Sequence, residues 1–330
     1  MKKTKHDPAS PKDRNPAAEE NARSAVRRSV DTPAIPIFTG EDWELRNGDC
    51  IEQLATVPDN HVDLSVYSPP FMSLYTYSAS ERDLGNCSSD AEFFAHYAFC
   101  IAELFRVTKP GRHTCVHVAE VTSTFATHGV IGLIDFPGKV IAAYQSAGWT
   151  YHGRVTIDKD PQAQAIRTHS KGLLFVQMRK DSTWSRPALA DTILIFRKPG
   201  DNAVAVTHET PESSLTNDEW IEWARPIWYG IRESDTLNVA IAREDKDERH
   251  VCPLQLGTIE RCIRLWSNPG ELILSPFAGI GSEGFEAVRL GRRFLGFELK
   301  PSYANVAAKN LATASSLKLQ GSLFAAEATA

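Results

Sequence analysis

From Trp43 onward, short apolar runs alternate with stretches whose apolar residues recur at three- and four-residue spacing. The runs read as strands and the spaced stretches as helices. Strands are predicted at 43–46, 62–67, 113–119, 149–157, 173–178, 192–197, in the run that starts at Glu271, and at 293–297. Helices are predicted at 50–55, from an N-cap at Asp90 to 106, over 136–147 with Gly148 as the stop, over 253–266, from Ser282 to 290, and over 302–311. Phe93, Phe94, Tyr97, Ile101, Leu104 and Phe105 form the apolar stripe of the second of these helices. Strands alternating with helices predict an α/β fold with a doubly wound, mostly parallel sheet. Ligands of such sheets bind beyond the carboxyl ends of the strands. Residues 1–34, rich in Pro, Ala, Lys, Arg and Glu, predict a flexible tail. The alanine-rich chain after Leu317 is expected to fray.

Composition narrows the class. A chain of 330 residues with 42% hydrophobic side chains can fill a sizeable core. No apolar run approaches the ~18 residues that a membrane span needs. The polar start, Met-Lys-Lys-Thr-Lys-His, carries no secretory apolar stretch, so a cytoplasmic protein is expected. None of the six cysteines forms a C-x-x-C pair or clusters with histidines, which predicts reduced thiols and no metal site. The net charge of −5 hides an asymmetry. Residues 151–200 hold nine Lys and Arg against four Asp and Glu, whereas residues 201–250 hold five against twelve. One phosphate-facing surface on an acidic protein is compatible with that distribution.

Two segments carry candidate chemistry. In the first, the strand after Glu271 runs into Ser275-Pro276-Phe277-Ala278-Gly279-Ile280-Gly281-Ser282, and a helix follows. Gly279 and Gly281 permit a sharp turn and close approach to a ligand. The next strand ends in Glu298, whose carboxylate can accept bonds from both hydroxyls of a ribose. With Gly284 the segment also spells G-x-G-x-x-G, which keeps a nicotinamide enzyme open. In the second, the 62–67 strand stops at Ser68-Pro69-Pro70-Phe71, because two prolines cannot donate to a ladder. A serine oxygen and a proline carbonyl can together accept both N–H bonds of an exocyclic base amine. Phe71 offers a face on which an extruded base can stack. Such an amine is a poor nucleophile until its lone pair is held toward a methyl donor. No metal and no covalent enzyme intermediate are required.

Ser68-Pro69-Pro70-Phe71 resembles the D/S/N-P-P-Y/F/W signature of amino-methylating DNA methyltransferases. Pro276-Phe277-Ala278-Gly279-Ile280-Gly281-Ser282 resembles their D-P-F-x-G-x-G-T/S cofactor loop. Asn47-Gly48-Asp49-Cys50 with Pro58-Asp59-Asn60-His61-Val62-Asp63-Leu64, the segment Arg106-Val107-Thr108-Lys109-Pro110-Gly111, and His250 with Pro253-Leu254-Gln255-Leu256 resemble further family elements. The catalytic motif comes first, the order of the permuted β class. The resemblance covers roughly residues 43–120 and 250–312. It implies the Rossmann-like sheet of S-adenosylmethionine-dependent methyltransferases with circularly permuted motifs. It also implies S-adenosyl-L-methionine as cofactor, double-stranded DNA as substrate, and transfer to N4 of cytosine or N6 of adenine, with the serine leaning to cytosine. Asp49 and Glu298 would help hold the adenosine. Pro253, Gly279, Gly281 and Ser282 would surround the methionine moiety, with Phe277 and Ala278 in the same loop.

The division that follows is a catalytic half over 35–157, a variable region with target recognition over 158–249, a cofactor half over 250–313 and a tail over 314–330. Whether a cognate restriction endonuclease accompanies the chain stays open, as does its oligomeric state. Two departures from the family stand out: Ser275 replaces the usual aspartate, and Ile157-Asp158-Lys159 lacks the aromatic that often precedes the lysine.

Other residues have bland and sharp readings. Arg167, Lys171, Arg179, Lys180 and Arg186 are candidate phosphate contacts, or a solvated face. Trp223 and Trp228 read first as packing, second as DNA contacts. His113 and His117 are expected to pack along a strand. Cys252-Pro253 has the reverse order of the Pro-Cys nucleophile of ring-carbon methylation, which excludes that chemistry. A methyltransferase for RNA or protein remains the rival, although such enzymes usually place the proline motif after the cofactor loop. A nicotinamide dehydrogenase lacks a nominated acid/base group. The intact motifs speak against an inactive DNA-binding relic.

Overall fold

The computed structural model describes residues 36–71, 83–87, 89–123, 125, 129, 132–168, 173–211, 213–237 and 253–328. The predicted tail over 1–34, Lys171, His250 and Cys252 lie outside these. In chain order the elements are β1 (Ile37–Thr39), β2 (Trp43–Asn47), α1 (Cys50–Leu54), β3 (Val62–Tyr67), α2 (Asp90–Val107), β4 (Thr108–Ala119), β5 (Val121–Ser123) and β6 (Gly132–Ile134). There follow α3 (Phe136–Ser146), β7 (Thr150–Ile157), α4 (Pro161–Thr168), β8 (Asp191–Arg197), α5 (Asn217–Trp223) and β9 (Ile227–Trp228). The last elements are α6 (Leu256–Trp266), β10 (Leu272–Ser275), α7 (Ser282–Arg289), β11 (Arg293–Glu298) and α8 (Pro301–Ala328).

Among the described residues the main sheet has nine strands in the order β1-β2-β11-β10-β3-β4-β8-β7-β9. The pairs β2–β11, β11–β10, β10–β3 and β3–β4 are parallel. β8 runs antiparallel between β4 and β7. The sheet is therefore mostly parallel, with two reversed strands, β8 and the edge strand β1, which pairs antiparallel with β2. Its central strands are buried on both faces, as their unbroken apolar runs require. Leu272 and Leu274 of β10 enter one core with α2 and α3, while Ile273 enters the other with α6, α7 and α8. On β8, Leu194 and Phe196 face the first core and Ile193 and Ile195 the second. Each such side chain contributes about 1.5–3 kcal/mol by burial, so both helical layers are held by the same strands.

The structure corrects four expectations. Ser89, not Asp90, caps α2, its side chain accepting the N–H of Glu92. The span 173–178 is not a strand. Phe175–Arg179 form a 3-10 turn, and Phe175, Val176 and Met178 are exposed, so no sheet neighbour pairs with them. α6 begins at Leu256, because Gln255 is still extended at φ −63° and ψ 133°. The last helix does not stop near 311 but runs to Ala328, as its alanine, leucine and lysine content favours. β4 also starts earlier than its pattern suggests. Its ladder to β3 is irregular between Val62 and Leu64, where Pro110 lacks a donor, and resumes at Leu64↔His113. No helix among the described residues is long and apolar enough to cross a membrane.

Candidate active site

Strand direction brings the carboxyl ends of β2, β11, β10, β3, β4 and β7 to one edge, together with the start of β8. That edge collects most of the predicted site residues. β3 delivers Ser68 and Phe71 half-buried, with Pro69 buried between them. Phe71 meets the Phe136 ring edge-on at 5.6 Å, which fixes one side of the loop. β10 delivers the glycine loop. β11 delivers Glu298, nineteen positions after Gly279.

The two motifs are neighbours. The ring of Phe277, in the glycine loop, lies 5.7 Å from that of Tyr67, which immediately precedes Ser68, and 6.4 Å from that of Tyr97. Tyr67 is fully buried, and its hydroxyl bonds those of Tyr97, at 2.7 Å, and Tyr144. This apolar floor carries both loops.

The glycines differ in what they do. Gly279 has φ +53°, and a Cβ built there meets nothing within 4 Å. Gly281 caps α7 at φ +86°, with Ala307 3.1 Å from its notional Cβ. At Gly284 a Cβ would come within 2.5 Å of the Phe294 ring, so this third glycine lets α7 lie close on β11. Ala278 is buried and donates its N–H to the Phe297 carbonyl at 2.8 Å. Ser282 opens α7, buried, with its hydroxyl unpartnered among the described residues, as is that of Ser275.

Glu298 accepts from the N–H of Gly279 and of Lys300. Burial, against these bonds and with the Asp83 charge adding, pushes its carboxyl up to about 7. Burial likewise pushes Glu283 up to about 8, with Glu298 adding. Asn47 donates to the carbonyls of Glu298 and Leu299, tying the end of β2 to this corner. The side chain of Asp49 accepts from Ile51 and Glu52, so it caps α1 beside the same corner. Pro253 is half-buried in the lead-in to α6. An open glycine bend, unpartnered buried hydroxyls and a carboxylate at the next strand end fit a nucleoside bearing an amino-acid tail.

Pattern and spacing do not reveal three further residues. His117 of β4 has Nδ1 3.2 Å from Ser68 Oγ and Nε2 3.2 Å from an Asp191 carboxylate oxygen. Lys159, just past β7, reaches the same oxygen at 2.7 Å with its side chain 1% exposed. Burial would raise the Asp191 carboxyl, but His117 and Lys159 hold it well below the usual carboxylate range. The available signal was one of two histidines in one apolar strand and a carboxylate heading another. Of the candidate phosphate contacts, Arg179 and Lys180 are exposed and Arg186 is half-buried, all between β7 and β8. Arg167 sits on α4, and its side chain lies outside the described residues. Trp223 and Trp228 are buried, and Trp228 donates to the Trp223 carbonyl at 2.9 Å, so packing accounts for both.

The model of the N6/N4 DNA methylase family matches residues 62–309. The chain belongs to this family. The chain resembles the Type II methyltransferase M.BamHI of Bacillus amyloliquefaciens, 24% identical over 80% of the chain, although it spans only 56% of that relative's length. Among solved structures, a DNA modification methylase of Thermus thermophilus, complexed with S-adenosyl-L-methionine, superposes with a TM-score of 0.59. It is 24% identical, and the match covers 82% of this chain and 95% of the Thermus chain. The PvuII DNA methyltransferase, cytosine-N4-specific, gives a TM-score of 0.60 at 17% identity, covering 87% of this chain and 95% of its own. These likenesses bear out the doubly wound methyltransferase fold.

Proposed function

We propose that this methylase transfers the methyl group of S-adenosylmethionine to an exocyclic amine of a DNA base, with N4 of cytosine favoured over N6 of adenine. The observation that carries this is the contact of Phe277 with Tyr67, which joins the glycine bend and Glu298 to the Ser68-Pro69-Pro70-Phe71 loop along one sheet edge. When bound, S-adenosylmethionine supplies an electrophilic methyl on a sulfonium. Glu298 would accept bonds from the ribose hydroxyls, and the open bend at Gly279 would admit the ligand beside it. Ser68 Oγ and a carbonyl of the proline pair accept the two amine N–H bonds and aim the lone pair. Phe71 supports the extruded ring. The cofactor held there would supply its methyl group to the lone pair so aimed, its sulfur leaving as the neutral thioether, and the amine's surplus proton would pass to water.

The segment between β7 and β8 starts and ends beside Ser68, since Lys159 and Asp191 at its two ends touch and Asp191 meets His117. It exposes Phe175 and Met178 beside Arg179 and Lys180. That mixture suits a DNA-facing surface, with cations for phosphates and apolar side chains for a disturbed base step. It supports placing target recognition within 158–249. The Type II name of M.BamHI is compatible with a restriction-modification setting, with or without a cognate endonuclease.

Incubation with labelled S-adenosylmethionine and DNA of diverse sequence, followed by nucleoside mass spectrometry, tests the reading. N4-methylcytosine is the expected product. N6-methyladenine would correct the base, and label in RNA or protein but not in DNA would overturn the substrate.

A further inference from the structure

A serine hydroxyl in the amine clamp raises a difficulty that a carboxylate would not. Carboxylates only accept, whereas a hydroxyl also donates, and a proton turned toward the substrate amine would repel its N–H bonds. Something must turn that proton away. Ser68 Oγ lies 3.2 Å from both His117 Nδ1 and the His117 carbonyl oxygen. Nε2 of the same ring lies 3.2 Å from Asp191, an acceptor-only group held ionised by Lys159 at 2.7 Å. Nε2 is buried and makes no hydrogen bond of ordinary geometry, but it faces the Asp191 carboxylate, whose negative charge favours the ring proton on that side. Nδ1 is then bare. Both atoms that His117 turns toward Ser68 ask for the hydroxyl proton, and the Oγ lone pairs point elsewhere.

We propose that His117, fixed by Asp191 and Lys159, is a positioning residue that holds Ser68 as a hydrogen-bond acceptor toward the target amine. This rests on the methyl-transfer reading above. β4 supplies the ring and β8 the carboxylate. Residues Ala119↔Asp191 and Ile157↔Asp191 are paired in the sheet, so the carboxylate is set by three strands rather than by a loop. Phe71 lies 6.4 Å from the imidazole, which puts the positioning group against both ends of the clamp.

The test uses the full chain and three substitutions. His117→Asn keeps an acceptor at the Nδ1 position, His117→Gln reaches only the Nε2 position, and His117→Phe keeps only the shape. Turnover in the Phe and Gln variants is expected to fall roughly 10- to 100-fold, the scale of one lost oriented hydrogen bond. The Asn variant is expected to stay within about tenfold of wild type. Affinity for S-adenosylmethionine and KM for DNA should change by less than about threefold throughout. If the Phe variant fails to fold, the Asn-against-Gln order decides. Nitrogen-15 histidine spectra of the wild type should show His117 protonated on Nε2 and bare on Nδ1. A proton on Nδ1, an equally active Phe variant, or a Gln variant as fast as the Asn variant overturns the proposal alone. An inactive wild type overturns the methyl-transfer reading, and this proposal with it.

Discussion

Glu298 accepts the backbone N–H of Gly279 through one carboxylate oxygen at 2.8 Å, so the acid at the end of β11 and the bend after β10 form one unit. Its carboxyl stands at about 7, raised chiefly by burial. Ribose hydroxyls donate, and so favour the ionised form. Binding therefore lowers this pKa, and affinity for S-adenosylmethionine should rise with pH up to about 7 and level off above it. Below that value the loss approaches about tenfold per pH unit until the bound-state pKa is reached. Calorimetric titration across the range checks this. Glu298→Gln should weaken binding by roughly 10- to 100-fold and flatten this part of the profile. A wild-type affinity indifferent to pH would contradict the assignment.

Glu283 sits buried in the first turn of α7, and its carboxyl is raised to about 8 by burial, with Glu298 adding. In the unfolded chain it would titrate near ~4.3. The folded state holds the extra proton between these values, so stability is full below the lower one and falls as pH rises through the upper. Glu283→Gln removes that loss. The variant should match the wild type in unfolding free energy near pH ~5 and exceed it near pH ~8.5, by an amount on the order of a few kcal/mol. Equal melting curves at the higher pH would rule out a neutral buried carboxyl.

Two glycine substitutions should separate packing from ligand approach. Gly284→Ala drives a methyl to within 2.5 Å of the Phe294 ring and 2.6 Å of Leu311. It should cost about 1–3 kcal/mol of stability as an overpacked contact. Gly279→Ala meets open space, and its φ of +53° costs only about 1–2 kcal/mol. Its larger effect should be on S-adenosylmethionine affinity, because the methyl occupies the space beside the bend. Melting temperature and affinity measured on both variants should therefore rank them oppositely.

The sheet was legible in the sequence because its strands are buried on both faces and read as continuous apolar runs. The span 62–67 matches β3 residue for residue. The 173–178 segment misled for the same reason. Its Leu173, Phe175, Val176 and Met178 look like a buried strand yet lie exposed on a turn, and composition alone does not distinguish a core run from an apolar surface. At the site, the glycine bend and proline loop were legible because each is a contiguous motif. His117 lies on β4, Asp191 on β8 and Lys159 just past the end of β7, and only the register of these strands brings them together. Reading His117 as a strand histidine was right about its backbone and silent about its side chain.

The opposite edge of the sheet offers a stability test that leaves the site untouched. Asp63 stands second in β3, with Ser68 beyond the far end of that strand. Its side chain bonds Lys109 of β4 at 2.6 Å and the N–H of Leu272 of β10 at 3.0 Å. Its carbonyl accepts from Arg112 Nε at 3.0 Å, and Arg112 pairs in turn with Glu271. One buried carboxylate thus links three central strands. Asp63→Ala leaves the buried Arg112 short of a counter-charge and the Leu272 N–H without its acceptor, a change on the order of 3–5 kcal/mol. Asp63→Asn keeps the acceptor for Leu272 and should lose less. Chemical denaturation measures both. S-adenosylmethionine affinity, read well below the melting transition, should be unchanged in each, because the strand ends proposed to hold the ligand lie at the other edge. A weakened affinity in a still-folded Asn variant would mean that the two edges are coupled through the sheet.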